Sequence, residues 1–492
     1  MTEETSTTKA AEATRAVIIG TGFAGLCMAI KLKAAGINDF IILEKAEDVG
    51  GTWRENTYPG AECDIPTALY SFSFEQNPDW DYKWAAQKQI HGYIKSVAEK
   101  HDIYSHVRFK HRLRTAVYNQ AGQHWQLECE AGETFLSQFF ITAVGQLHHP
   151  STPHIPGIES FQGNCFHSAN WDHNADLKGK KIAVIGTGAS AIQFIPPLAE
   201  QADELHVFQR SPNWIMPKLD SPYTEKQKQI RARLPIINRI DRLRMWLRSE
   251  LGLFRAMKGN KLAQGLIKWM CLRHLNNGVK DPEKREKLTP NYTVGAKRIL
   301  FSDNYYTGIN RSNVSLHTEK VTNITSSGIG FDGGEINNID TIIYGTGFIT
   351  NPFLSDLDIR GIDGLSIHQE WSQGARAYLG VSCAKFPNFF MLYGPNTNLG
   401  HNSIILMIEA QAKYIVQAIQ LTEQKNKRAI DVKPEVEQIF NDKLQARLRK
   451  MVWTEVDSWY MDGERITNNW AGGTAEYMLR MSTLKEQDYS LS

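Results

Sequence analysis

Three glycines, Gly20, Gly22 and Gly25, stand behind the β-branched apolar run 16–19 and ahead of a helical stretch at 26–35. A short buried strand, a glycine turn and a helix start, in that order, bring backbone N–H groups and the positive helix end close to a pyrophosphate. The turn reads Gly20-Thr21-Gly22-Phe23-Ala24-Gly25, and nineteen residues past its last glycine Glu44 closes the strand 40–43. A carboxylate there can accept from a ribose hydroxyl, which favours an unphosphorylated ribose, as in FAD or NAD.

A second turn, Gly186-Thr187-Gly188-Ala189-Ser190-Ala191, follows the strand-like run 182–185 and again precedes a helical segment. Nineteen residues past Ala191, after the strand 205–208, Arg210 stands where Glu44 stands in the first unit. A carboxylate would repel a 2′-phosphate, whereas a guanidinium offers it a permanent charge and a planar fork of donors. The second nucleotide is therefore expected to be NADP, with Ser211 adding a hydroxyl. One such turn is weak evidence, but two with the same offset point to electron transfer between two cofactors.

The elements that must position these turns follow from the chain's organisation. At 492 residues the length allows about three domains, and 42% hydrophobic content suits sizeable cores. A net charge of +2 gives no reason to expect nucleic acid or an acidic partner. Six cysteines (Cys27, Cys63, Cys129, Cys165, Cys271, Cys383) are scattered without a CxxC pair or metal-ligand spacing, which reads as reduced thiols in a cytoplasm. Residues 1–14 are polar and small, lack the pattern of a signal peptide, and read as a disordered tail. No uninterrupted apolar run reaches membrane-spanning length.

The expected fold class is α/β, with two Rossmann-like dinucleotide-binding domains and a helical insertion. The first unit runs over 15–147, ending after the strand 139–144, and is completed by 386–492. A Pro- and His-rich stretch, 148–156, is a linker, and the second unit takes 157–217 and 291–385, with strands at 314–317 and 341–344. Between them, 218–290 reads as amphipathic helices dense in Arg and Lys, as over 239–248. The common use of such helices is a solvated face covering a neighbouring domain; contact with a membrane surface or an acidic partner is the alternative.

The stretch Phe161-Gln-Gly163-Asn-Cys-Phe-His167-Ser-Ala-Asn-Trp171-Asp172 matches the pattern FxGxxxHxxxW(P/D). A second, Gly51-Thr52-Trp53-Arg-Glu-Asn-Thr-Tyr58-Pro59-Gly60-Ala-Glu-Cys-Asp64, matches (A/G)GxWxxxx(F/Y)P(G/M)xxxD. With both turns, these motifs make the chain resemble the type I Baeyer–Villiger monooxygenases over nearly its whole length. The resemblance implies a flavoprotein in which NADPH reduces bound FAD. The reduced flavin takes up O2 as a C4a-peroxyflavin, which attacks a ketone and yields an ester or lactone, with some sulfide oxidation. The flavin supplies the hard chemistry and the protein supplies positioning, charge and exclusion of water.

The resemblance also implies roles for particular residues. Arg298, behind Lys297 in Thr293-Val-Gly-Ala-Lys297-Arg298, looks like the family's catalytic arginine, whose fixed charge steadies an anionic oxygen adduct. Asp64 resembles the carboxylate that sits beside it and contacts the cofactors. Lys297 is similar to the residue that holds the 2′-phosphate with Arg210 and Ser211. Gly50, Gly51, Thr52 and Trp53 look like the loop that meets the flavin, and Val107 lies near where relatives touch adenine through backbone. Trp459 resembles a mobile-loop tryptophan over NADP and substrate, although the segment after it departs from the family's pattern. His167 is expected to couple domain movement rather than act as a base, and Trp171 to anchor packing. Tyr344-Gly-Thr-Gly-Phe348 looks like the motif that returns the chain between domains. Asn396 and Asn402, ahead of a helix over 404–419, are expected either at the flavin's pyrimidine edge or as turn and cap residues.

Two other readings share part of this pattern. A flavin monooxygenase confined to sulfur and nitrogen has both turns, but the Trp171-Asp172 ending and the Asp64 motif favour ketones. A non-catalytic flavin or NADP sensor would keep both turns and have no use for Arg298. A pyridine nucleotide disulfide reductase needs a redox dithiol, which this sequence lacks.

Overall fold

The computed structural model describes residues 11–456, 460–463 and 465–492. The first glycine turn rises from a mixed sheet built from β1 (Glu12–Ile19), β2 (Phe40–Glu44), β3 (Val107–Phe109), β4 (Leu113–Asn119), β5 (His124–Cys129) and β6 (Thr134–Thr142). β1 lies between β2 and β6, parallel to both, with Ile18 opposite Ile42 on one side and Ile141 on the other. Its residues 16–19 are buried on both faces. Ala16 and Ile18 enter one core with the helix α1 (Phe23–Ala34), while Val17 and Ile19 enter another with Trp125 and Leu127. A strand covered on both sides reads as a continuous apolar run, which is why this one was legible.

β1 nevertheless begins earlier than a disordered tail over 1–14 allows. Glu12, Ala13 and Thr14 pair with 135–137 of β6, so backbone hydrogen bonds order residues whose side chains give no apolar signal. Residues 1–10 of the expected tail lie outside the described residues.

The second turn rises from a five-stranded, all-parallel sheet. Its strands are β7 (Asn164–His167), β8 (Lys181–Ile185), β9 (Glu204–Phe208), β10 (Val314–His317) and β11 (Thr341–Tyr344), in the order β10-β9-β8-β11-β7. The turn follows β8 and opens α2 (Ala191–Gln201). The linker fingerprint is thus partly an edge strand, since β7 holds residues 164–167.

The chain rejoins the first sheet sooner than residue 386. β12 (Asp358–Arg360) pairs in parallel with β4, and Phe353, Leu357, Ile359 and Ile367 pack in the core of Trp125. β13 (Phe389–Met391) then pairs with the end of β6. Helix Ile404–Gln424 lies in the core with α1. Among the described residues it is the one helix long and apolar enough to cross a membrane, and most of it is buried inside the protein.

Helices occupy the basic segment: Glu225–Arg233, Ile236–Arg248, a π-helical stretch Ser249–Leu253, Phe254–Met257, Lys261–Gly278 and Pro282–Lys287. Arg242 of the second of these donates from Nη1 to the carbonyls of Ala68, Leu69 and Ser71, and Trp246 donates to Thr474 Oγ1 at 2.7 Å. One face of the insertion is therefore fastened to the loop after the Asp64 motif.

Candidate active site

The glycines of the first turn are required by contact. A Cβ on Gly25 would lie 1.9 Å from Gly20 O, so only glycine lets α1 start so close to the strand. Gly22 and Gly51 face each other, and a Cβ on Gly51 would stand 3.1 Å from Gly22 Cα. Two backbone loops in such contact form a cradle that a side chain would fill. It is the wall of a cavity of about 410 Å3 lined by Gly20, Gly22, Ala24, Glu44, Gly50, Gly51, Thr52, Trp53 and Asp64, among others. Gln146, in the same wall, donates to Tyr393 O at 3.0 Å, while its buried Oε1 has no partner among the described residues. A glycine cradle with an unpaired acceptor fits a dinucleotide with polar edges, as FAD has.

Glu44 is buried and already held. Its Oε2 accepts from Thr21 N and Thr21 Oγ1 at 3.0 and 2.5 Å, and its Oε1 accepts from Ala46 N at 3.0 Å, with Arg54 at 3.3 Å. These contacts aim the carboxylate at the cavity, where a ribose hydroxyl would be a further donor.

Across the cavity, Arg298 donates from Nε and Nη2 to Asp64 Oδ2 at 3.0 and 2.6 Å, and both residues line the wall. The carboxylate holds the guanidinium's affinity for its proton above the ordinary arginine value, against the effect of burial. Tyr393 and Tyr460 lie near enough to feel this pair. Burial pushes the Tyr460 phenol up to about 12, so it is a neutral O–H at ordinary pH. Tyr393 donates to Asn398 Oδ1 at 2.7 Å. Trp53 donates from its indole N–H to Tyr70 OH at 3.0 Å, the two rings meeting edge to face at 5.7 Å. A fixed cation held in place by Asp64, with Nη1 outside that pair and the neutral Tyr393 in the same wall, suits the steadying of an oxyanion.

The second turn reaches this cavity through Ala189. Gly186 adopts φ +104°, and a Cβ there would stand 2.4 Å from Gly345 O. Ala191 takes the third glycine's place because Gly345 leaves room: a Cβ on Gly345 would stand 2.9 Å from the Ala191 methyl. That contact gives the Tyr344–Phe348 motif a packing role beside the second turn. Gly188, Thr187 and Ser190 complete the turn ahead of α2. Lys297 Nζ donates to Ser211 Oγ at 3.0 Å and lies over the Tyr292 ring, with exposed Arg210 adjacent in the chain to Ser211. An ammonium, a hydroxyl and a guanidinium on neighbouring residues fit a 2′-phosphate.

Sequence reasoning missed the groups that join the two units. Gln193 on α2 accepts from Tyr58 OH at 2.9 Å and donates to Glu62 O at 2.9 Å. Glu62 pairs with buried Lys218 at 2.5 Å, and Lys218 also donates to Cys63 O at 3.4 Å. Burial pushes the Glu62 carboxyl up against the pull of Lys218. The ring of Trp171 lies 6.5 Å from that of Tyr58 and 5.4 Å from that of Phe194, so both sequence motifs meet on α2. The glutamine two residues past the second turn was the available signal.

Other candidates lie elsewhere. Val107 is buried in β3 opposite Ile42 with its side chain in the core, so only its backbone is left to meet an adenine, and it does not line the cavity described above. Asn396 adopts φ +58° and donates to Ile466 O and Asn469 O, a turn role away from the cavity wall. Asn402 does line the cavity, while Ser403 caps the following helix. His167 is buried, accepts at Nδ1 from Ala169 N–H, and is pushed toward the neutral form by burial; it is not part of the wall of the cavity that holds Arg298. Trp459 lies outside the described residues.

Comparisons with known proteins bear on the family and the fold. The model of the flavin-binding monooxygenase-like family matches residues 13–364. A Baeyer–Villiger monooxygenase of Pseudomonas aeruginosa is 40% identical over 464 residues, which is 92% of this chain and 86% of that protein. Among solved structures, an oxidized steroid monooxygenase bound to NADP superposes with a TM-score of 0.88 at 28% identity, covering 97% of this chain and 99% of the other. The OTEMO complex with FAD and NADP superposes at 0.87, again with 28% identity, 97% of this chain and 99% of its own. The chain belongs to the flavin-binding monooxygenase-like family and, within it, to the Baeyer–Villiger monooxygenases.

Proposed function

We propose that this protein is an NADPH- and O2-dependent monooxygenase that inserts one oxygen atom beside a ketone carbonyl, giving an ester or lactone, and that also oxidises sulfides. Ketone, O2, NADPH and a proton are consumed, and ester, water and NADP+ are released. FAD, when bound, carries the electrons from NADPH to O2 and presents the oxygen to be transferred. The observation that carries the reading is Arg298 seated on Asp64 in the wall of the cavity that the first glycine turn also lines.

The chain's own residues divide the work. Gly20, Gly22, Gly51 and Thr52 hold the FAD pyrophosphate, Gly25 lets α1 start close enough to do so, and Glu44 takes a ribose hydroxyl. Arg210, Ser211 and Lys297 select the 2′-phosphate of NADPH, while Gly186, Gly188 and α2 take its pyrophosphate. Arg298 offers a cation that does not titrate at working pH and would steady negative charge on an oxygen beside it, including the ketone's carbonyl oxygen after addition. Asp64 orients that fork, and Trp53 with Tyr70 keeps water from one side.

The FAD half comprises the first sheet with its return from β12 onward, the NADP half the five-stranded sheet. The reduced-thiol composition favours a cytoplasmic setting. The test is to supply NADPH, isotopically labelled O2 and a ketone panel, and to identify products by mass spectrometry. One labelled oxygen in an ester supports the reading, whereas hydrogen peroxide as the sole product with every ketone contradicts it.

A further inference from the structure

We propose that the outer face of the helical insertion docks on an anionic lipid bilayer, lying in the headgroup region with its leucines in the acyl boundary and its arginines on lipid phosphates. The observation is an inversion of helix polarity. Over helix Ile236–Arg248 and its π-helical continuation, Ile236, Ile240, Leu243, Leu247 and Leu251 are 40% to 55% exposed. Their spacing of three and four residues places them on one stripe, with exposed Arg239, Arg244 and Arg248 interleaved.

The stripe is outward because the other face is fastened. Arg242 holds three carbonyls of the 68–71 loop and Trp246 bonds Thr474, so the helix cannot turn its leucines inward without breaking these contacts. The next long helix, Lys261–Gly278, repeats the pattern. Ile267, Cys271 and Leu275 are buried, while Leu262 is 87% and Trp269 55% exposed, with Leu266 between them. Arg273 lies 5.3 Å over the Trp269 ring, and Lys261 and Lys268 are exposed on the same helix.

Single exposed leucines are ordinary, but these are concentrated. Eleven of the seventeen large apolar side chains exposed among the described residues lie between 219 and 269. Charge decides what covers them. Residues 218–290 hold eighteen Lys and Arg against seven Asp and Glu, although the whole chain carries only +2, so the rest of the molecule is acidic on balance. A second copy meeting this face through a two-fold axis would bring two strongly basic surfaces together, with the leucine contact opposed by like charge. An anionic bilayer attracts the insertion, repels the remainder, and accepts Leu, Ile and Trp at its boundary, which is the composition of an interfacial helix.

The test uses the full-length, FAD-loaded protein and two vesicle preparations, phosphatidylcholine alone and phosphatidylcholine with an equal share of phosphatidylglycerol. Flotation with the anionic vesicles at low salt, at least about ten-fold above the zwitterionic ones and weakened by added salt, is expected. A triple variant, Leu243→Ser with Leu247→Ser and Trp269→Ser, is expected to lose flotation about ten-fold while keeping the flavin spectrum, since all three side chains face solvent. A charge variant, Arg239→Gln with Arg244→Gln and Arg248→Gln, is expected to behave likewise. Absence of flotation in both preparations, or undiminished flotation of the triple variant, overturns the proposal. So does light scattering that finds the parent dimeric and the triple variant monomeric, because a second copy would then be what covers the face.

Discussion

Arg298 places two donors, Nε and Nη2, on a single oxygen of Asp64, Oδ2, although 234 residues separate them in the chain. Asp64 closes a loop of the first unit, whereas Arg298 comes from the segment that follows the insertion. Nη1 stands outside the pair. The contact therefore aims the guanidinium and also ties together two parts of the chain that meet only in the folded molecule.

Asp64→Asn tests the charge in that contact while keeping an acceptor in place. FAD content should be unchanged, and ketone oxygenation should slow roughly ten-fold to a hundred-fold, as loss of one charge-assisted bond of about 1.5–3 kcal/mol implies. Steady-state rates with saturating NADPH measure it. An unaltered rate would reduce the pair to a structural tie.

Nucleotide choice should reside in Arg210 and Lys297. Either residue changed to Ala should raise KM for NADPH about ten-fold or more, with KM for NADH little altered. Parallel loss with both nucleotides would contradict a phosphate site built on the Lys297–Ser211 contact.

The two turns should tolerate substitution differently. Gly25→Ala would press a methyl into Gly20 O, so the purified protein should carry little or no flavin absorbance. Ala191→Gly removes a methyl from a site that has room for it and should keep both flavin and NADPH oxidation, at a cost of about 1 kcal/mol in helix stability. Full flavin content in the first variant would mean that the turn opens more easily than its contacts imply.

Glu250 gives a pH signature. Burial alone would raise its carboxyl, but hydrogen bonds from His401 and from the hydroxyl and N–H of Thr474 outweigh that and hold it at about 2, below the ordinary 4.5. A carboxyl depressed in the folded state stabilises the protein above its unfolded value. That stabilisation is lost as pH falls from 4.5 toward 2. Glu250 also bonds Asn402 at 3.0 Å, a residue of the cavity wall. Glu250→Gln should lower Tm near neutrality and flatten the fall of Tm with acid, read by flavin release. A parallel Tm profile for both proteins would exclude this clasp.

What could be read beforehand follows from how local each signal is. Each glycine turn sits between a strand and a helix that are contiguous in the chain, so composition and offset were enough. The start of β1 was missed because Glu12-Ala13-Thr14-Arg15 is ordered by ladder hydrogen bonds to β6, which leave no mark in side-chain pattern. β12 was missed for a similar reason: Asp358-Ile359-Arg360 has one apolar residue, and its partner β4 lies far back in the chain. Arg298 beside Asp64 was legible only through resemblance, since spacing alone does not bring them together. The Tyr58–Gln193–Glu62–Lys218 chain left no local signal beyond ordinary polar residues. The helices of the insertion are expected from sequence to cover a neighbouring domain, with a membrane surface or an acidic partner as the alternative. Sequence reading did not single out their outward leucines, because helical period reports a face and not which way it points.

The most direct measurement follows the flavin of the parent protein and of Arg298→Ala under anaerobic NADPH, then after admission of O2 with a ketone present. Both proteins should bleach on reduction. Only the parent should then form ester as it reoxidises, with Arg298→Ala returning hydrogen peroxide and at most about a hundredth of the product. Ester formation by Arg298→Ala at the parent rate would contradict the account.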